Sequence, residues 1–173
     1  MSFLIILSLF ISTMEIDFSS KKTRDWGTVN DGVMGGLSIG RSNWTQDGLL
    51  FFGSVSLENN GGFASIRGPY GKFDLSTFDR VKITYRSEGM NIAFQLNQYQ
   101  QFYLPNYKIN LPVSKDWTEL SYDLKELKQY RMGNPTGQTI EEKALGQIIR
   151  LGFITNEKRA GDFKFEVQKI VFE

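Results

Sequence analysis

The chain contains no cysteine and no histidine. Without thiols it has no disulfide, no thiolate nucleophile, no cysteine-held iron–sulfur cluster and no cysteine-based zinc site. Without imidazole it lacks every Ser-His-Asp or Cys-His arrangement, every His-based metal site and the side chain best suited to proton transfer near neutrality. The enzymatic routes left would use Asp, Glu, Lys, Tyr or a bound hard cation. An excess of one charge is also missing: 20 basic residues face 19 acidic ones, a formal net of +1. Nucleic-acid binders ordinarily carry a basic stripe, so no nucleic-acid partner is expected. Neither Gly-x-x-x-x-Gly-Lys-Ser/Thr nor a strand followed by Gly-x-Gly-x-x-Gly occurs, which removes the two common phosphate-cradling loops. Residues 3–11 are apolar apart from Ser8, but a bilayer core needs about twenty such residues, so no transmembrane span is expected.

That apolar run leaves three readings of the amino end: an export signal, a packed or membrane-touching leader, or an extension upstream of a domain that starts near Met14. No Lys or Arg precedes it, and Glu15 follows soon after. Export places the protein outside the cell, and a start near Met14 leaves it cytoplasmic or membrane-associated. With no internal repeat, low-complexity tract or linker in sight, residues 15–173 read as a single domain after a leader or extension of residues 1–14.

From Glu15 onward the pattern is that of a β protein. Ile16 and Phe18 start an edge segment, and residues 37–44 and 49–55 are joined across Asp47-Gly48, a hairpin signal. Asn59-Asn60-Gly61-Gly62 makes the next reversal into residues 63–67. Val81, Ile83 and Tyr85 alternate with Lys82, Thr84 and Arg86, and Ile92, Phe94 and Leu96 with Ala93, Gln95 and Asn97. One apolar and one polar face per strand fits antiparallel sheets. Residues 102–111, 117–122, 149–153, 163–167 and 170–172 read as further strands. Residues 124–130 and 139–145 read as short helical turns, the second capped by Thr139, with irregular chain at 133–137. The expected fold is an all-β jelly-roll sandwich of two antiparallel sheets, its core rich in the chain's fourteen Phe.

The stretch WGTVNDGVMGGLSIG, residues 26–40, organises the rest. Asn30 and Asp31 are able to bond back to their own backbone, and Gly32, Gly35 and Gly36 are able to enter positive-φ conformations. Asp31 reads first as a turn-maker and second as a ligand or partner contact; Asn30 shares both readings, and Trp26 reads as an anchor or a partner-facing platform. Glu58, Asn59 and Asn60 offer oxygen ligands of the kind calcium takes, but their spacing fits a hairpin better, so no metal is expected. Arg67 reads as one half of an internal ion pair, with capture of a carboxylate or phosphate as the alternative. A secondary surface is expected around Gln95, Asn97, Tyr99 and Tyr103, where amides and rings suit a solvated sheet, a protein interface or a carbohydrate.

The string W-x-x-V-N-D-G-V-M-G-G at residues 26–36 resembles the complex I intermediate-associated protein 30 family. So do Phe52-Gly53, residues 60–67, Phe78-Asp79, Trp117, Arg131-Met132-Gly133, Gly152-Phe153 and Gly161-Asp162-Phe163. The resemblance covers about residues 15–173 and implies a galactose-binding-like β-sandwich. It also implies a role like that of the mitochondrial members, which help assemble the membrane arm of respiratory complex I by holding intermediates. Its motif positions here are Trp26, Asn30, Asp31, Gly32, Met34, Gly35, Gly36 and Arg67, with no individual roles attached. The leading expectation is therefore a non-enzymatic binding or assembly-factor domain with a protein partner, no catalytic residues and no cofactor. A carbohydrate-binding module is the alternative, and an enzyme using carboxylates or a hard cation a third class.

Overall fold

A computed structural model describes residues 12–20 and 25–173, with the side chains of Val33, Met34 and Asn60 left out. The apolar run at residues 3–11 lies outside the described residues. The alternating segments assemble into two sheets whose strand pairings are all antiparallel. The strands are β1 (Met14–Asp17), β2 (Gly27–Asn30), β3 (Ile39–Trp44), β4 (Leu49–Val55), β5 (Ala64–Arg67), β6 (Arg80–Glu88) and β7 (Ile92–Asn97). They continue as β8 (Asn106–Leu111), β9 (Thr118–Asp123), β10 (Lys128–Arg131), β11 (Asn134–Thr139), β12 (Arg150–Thr155) and β13 (Gly161–Phe172), with one short helix, α1 (Glu142–Leu145). One sheet runs β3-β4-β13-β6-β9, with β1 also paired to β13; the other has seven strands in the order β11-β10-β8-β7-β12-β5-β2.

Aromatic side chains fill the space between the sheets. Phe94 and Phe153 on the seven-stranded sheet lie 5.4 Å apart, and Phe153 meets Phe165 of the facing sheet at 4.8 Å. Trp26 is buried and stacks on Phe153 at 5.9 Å while its edge meets Phe18 at 5.0 Å. Strand β13 crosses the whole core. Its inward residues are Phe163, Phe165 and Val167, then Ile170 and Phe172, a change from odd to even positions. The ladder to β6 skips Gln168, and this one-residue bulge restores the inward phase. Two alternation phases in the sequence thus belong to one continuous strand.

Three local expectations are corrected. Of residues 124–130 only Leu124–Glu126 forms a helical turn, with Asp123 accepting the Lys125 N–H. Lys128–Arg131 and the supposedly irregular 133–137 are the two arms of a hairpin. At its tip Met132 and Gly133 have φ of 49° and 77°, the left-handed pair that a two-residue turn between twisted strands requires. Thr139 belongs to β11 and caps nothing; α1 starts after Glu141, with no side-chain cap. Strand β7 also departs from the one-face pattern: it lies inside the sheet, and Ala93 and Gln95 on its outer face are buried as well. Among the described residues no helix is long and apolar enough to cross a membrane.

Candidate functional site

The glycine-rich stretch closes around Asp31. The chain arrives on β2, paired to β5, and turns at once into the 3-10 helix Asp31–Met34, which Gly35 ends at φ 88°. That left-handed conformation suits glycine, and it lets the Gly36 N–H reach the Asp31 carbonyl at 3.1 Å. The Asp31 side chain is fully buried. Its Oδ1 accepts from the Ser38 N–H at 2.9 Å, and its Oδ2 from the Ser38 hydroxyl at 2.5 Å, Gly62 N–H at 2.7 Å and Phe63 N–H at 3.2 Å. The Ser38 Oγ accepts in turn from the Ser56 N–H at 3.0 Å. Burial by itself raises the carboxyl's pKa, but the donors from Ser38, Gly62 and Phe63 together outweigh it and hold the group below its ordinary range. A Cβ at Gly36 would stand 2.4 Å from the Asp31 carboxyl carbon, and one at Gly61 2.7 Å from Oδ2. The carboxylate therefore faces inward and ties residues 31–38 to residues 56–63.

The other motif positions separate. Asn30 donates from Nδ2 to the Gly40 carbonyl at 3.2 Å, and its buried Oδ1 has no partner among the described residues. Trp26 belongs to the core. Met34 stands in the 3-10 helix, its side chain outside the description. Around the Asp31 node three large apolar side chains stand exposed: Leu37 and Ile39 at 52% each and Leu57 at 48%. Leu37 and Ile39 flank Ser38, and Leu57 follows Ser56, so the buried hydrogen bonds fix the backbone that carries these three side chains.

Arg67 lies on the outer face of the seven-stranded sheet. Phe94 and Phe153 point into the core, so Gln95, Asn97, Arg150 and Gly152 take the opposite face. Cross-strand register then sets Lys108, Gln95, Gly152 and Arg67 in one lateral row, and Asn106, Asn97 and Arg150 in the next. Gln95 Nε2 donates to Asn97 Oδ1 at 2.9 Å. The expected ion pair of Arg67 is not formed: among the described residues its Nε donates to Ser65 Oγ at 3.2 Å, and burial followed by the nearby Arg150 lowers its pKa. Lys108 is 6% exposed, with Nζ 4.7 Å from the Tyr130 ring centre and 3.4 Å from Asn156 Oδ1. Burial, then Arg67 and Lys158, pull its pKa down to about 8. Tyr99 and Tyr103 stand exposed on the connection between β7 and β8, beside exposed Phe102. Sequence reasoning missed Lys108 and Arg150. The alternation of Asn106, Lys108 and Asn110 with Tyr107, Ile109 and Leu111 marks their face, but only register places that face beside Arg67. Among the described residues no three Asp, Glu, His or Cys gather as metal ligands.

Two antiparallel sheets in this order define a galactose-binding-like sandwich of the kind found in carbohydrate-binding modules. A family 11 carbohydrate-binding module from a cellulosomal cellulase of Clostridium thermocellum superposes with a TM-score of 0.67 at 13% identity, covering 94% of each chain. Such a module in complex with a β-1,3-1,4-mixed-linked tetrasaccharide, from the same organism, gives 0.65 at 14% identity over 92% of this chain and 94% of the other. The K2 cleaved adhesin domain of Lys-gingipain gives 0.52 at 10% identity, covering 94% of this chain and 99% of the other. At such identities the likeness is one of fold. By sequence the chain belongs to the complex I intermediate-associated protein 30 family, which matches residues 16–167. No curated protein matches the chain in sequence.

Proposed function

We propose that this domain is a non-catalytic assembly factor that holds a protein intermediate of a membrane-bound respiratory complex. Family membership supports a protein partner of that class. The observation that carries the reading is the apolar surface of Leu37, Ile39 and Leu57 around the Asp31 node. Exposed apolar side chains on a segment fixed by buried charge-assisted hydrogen bonds lose little freedom on docking, which favours a protein contact. Gly35, at positive φ, and Gly36, against the Asp31 carboxylate, shape the turn behind that surface, and Asp31 fastens it from below.

Affinity capture from native membranes tests this reading. The intact chain is expected to recover subunits of a respiratory complex, and the variant L37S/I39S/L57S to recover them at least tenfold less with unchanged thermal stability. Equal recovery by the variant would refute it.

A second reading, carbohydrate binding, is supported by the fold shared with carbohydrate-binding modules and by Gln95, Asn97, Tyr99 and Tyr103. It uses the outer face of the seven-stranded sheet and leaves the glycine loop free. Glycan-array binding that disappears on Tyr99→Ala or Tyr103→Ala supports it; binding that both variants retain counts against those rings.

A further inference from the structure

Among the described residues three charged side chains are buried: Asp31, Glu166 and Lys108. A buried charge is costly unless it is paired or fully hydrogen-bonded. Asp31 has four donors. Glu166 accepts from Arg86 Nε at 2.8 Å and Thr45 Oγ1 at 2.6 Å. Lys108 alone has no carboxylate among the described residues; an aromatic face and one long hydrogen bond to Asn156 are its partners.

Its electrostatic neighbours deepen the imbalance, because Arg67 and Lys158 both act on it as like charges. Between Lys108 and Arg67 in their lateral row stand only Gln95 and Gly152. Strands about 4.8 Å apart put the two backbones roughly 14 Å from one another, and Arg67 is near enough to act on the Lys108 ammonium electrostatically. Gly152 has no side chain to fill the gap. Arg150, one row along, is held by the Gly68 carbonyl at 2.7 Å and by the Tyr70 ring at 4.4 Å. It too has no acidic partner among the described residues.

The same face also carries an unanswered acceptor. Asn106, beside Asn97 and two positions from Lys108, has a buried Oδ1 with no hydrogen-bond partner among the described residues. An oxyanion alone leaves that acceptor unmet, since a hydroxyl or other donor is required to satisfy it.

We propose that the outer face of the seven-stranded sheet binds a hydroxylated oxyanion, a sugar bearing a carboxylate or phosphate, with Lys108 and Arg67 on the anionic group and Asn106, Asn97 and Gln95 on the hydroxyls. The proposal rests on the carbohydrate reading of this face and narrows its ligand class; it is independent of docking through the glycine loop. Charge-assisted hydrogen bonds supply the anion selectivity, and planar amides orient the ring.

Calorimetric titration of the full chain with glucuronate, glucose 6-phosphate, inorganic phosphate and a neutral mixed-linked glucan tetrasaccharide tests the proposal. Glucuronate or glucose 6-phosphate is expected to bind saturably, at least tenfold tighter than inorganic phosphate and the neutral glucan, and to weaken with added salt. Whichever of the two binds tighter distinguishes carboxylate from phosphate as the anionic group. Lys108→Met is expected to reduce that affinity at least tenfold, and Arg67→Gln, on the half-buried side of the row, to do the same while the fold persists by circular dichroism. Binding of the neutral glucan alone would overturn the anion assignment and leave the carbohydrate reading standing. No saturable binding by any probe would overturn both, and affinity unchanged in both variants would overturn the role of the cation row.

Discussion

Replacing Asp31 by Asn keeps the shape of the side chain but turns one of its oxygens into an amide that faces N–H or O–H donors. Charge-assisted hydrogen bonds are worth about 1.5–3 kcal/mol each, and Asp31→Asn is expected to destabilise the domain by about 2–3 kcal/mol in urea denaturation. The acid response should change with it. Because the folded pKa lies below the unfolded value of about 3.9, the charge contributes stability above that value, and the contribution fades as pH falls through the folded pKa. Wild type minus variant is therefore expected to shrink as pH is lowered from about 5 toward 2, a difference that cancels the other carboxylates. The Lys108 charge instead weakens the fold, although its linkage also makes stability rise with pH. With its folded pKa at about 8 and an unfolded value of about 10.4, the unfolded chain holds a proton that the folded one gives up between these limits. Wild-type stability should thus gain as pH rises from about 8 to about 10.4. Lys108→Met is expected to stabilise the domain at pH 7 by about 2 kcal/mol and to remove that gain. A residue that weakens the fold while supporting binding is what a ligand site produces.

Among the elements, the β10–β11 hairpin is the most exposed, every residue of β11 facing solvent. Pro135 stands on this edge strand, where a missing N–H breaks no inner ladder and discourages edge pairing. Its register depends on the Met132-Gly133 turn. Gly133→Ala places a Cβ at φ 77° and is expected to cost about 1 kcal/mol, whereas Met132→Asn should add a few tenths, since Asn tolerates the left-handed region better. Hydrogen exchange checks both: protection is expected to change at residues 128–139 and to stay constant in β7 and β12. The motif positions show a similar division, since the glycine loop and the end of β5 lie on different surfaces, connected through β2–β5 pairing and the bonds of Asp31 to residues 62 and 63.

At the scale of the whole molecule, one hydrophobic cluster runs from Phe18 to Phe172 and joins both sheets. We propose that residues 15–173 unfold as one domain, so tryptophan fluorescence and far-ultraviolet circular dichroism are expected to give coincident denaturation curves. Separate curves would divide the sandwich. The two candidate surfaces should respond independently: L37S/I39S/L57S is expected to leave glucuronate and glucose 6-phosphate titrations unchanged, and Lys108→Met to leave membrane-protein capture unchanged. Distant sites without shared partners behave additively.

Alternation of apolar and polar residues was enough by itself to determine the all-β class and the two antiparallel sheets, because a strand's period of two sorts apolar and polar side chains onto opposite faces. The family resemblance was legible for the same local reason: residues 26–36 are contiguous. Tertiary structure alone decided the rest. The inward turn of Asp31 depends on Ser38, Gly62 and Phe63, which approach it only when β3 and β5 are in place. The hairpin at 128–139 has weak strand propensity and joins the sheet only through the pairing of β10 with β8. Lys108 shares a lateral row with Arg67 across two intervening strands, and strand order and register are properties of non-local pairing, which no stretch of chain carries alone.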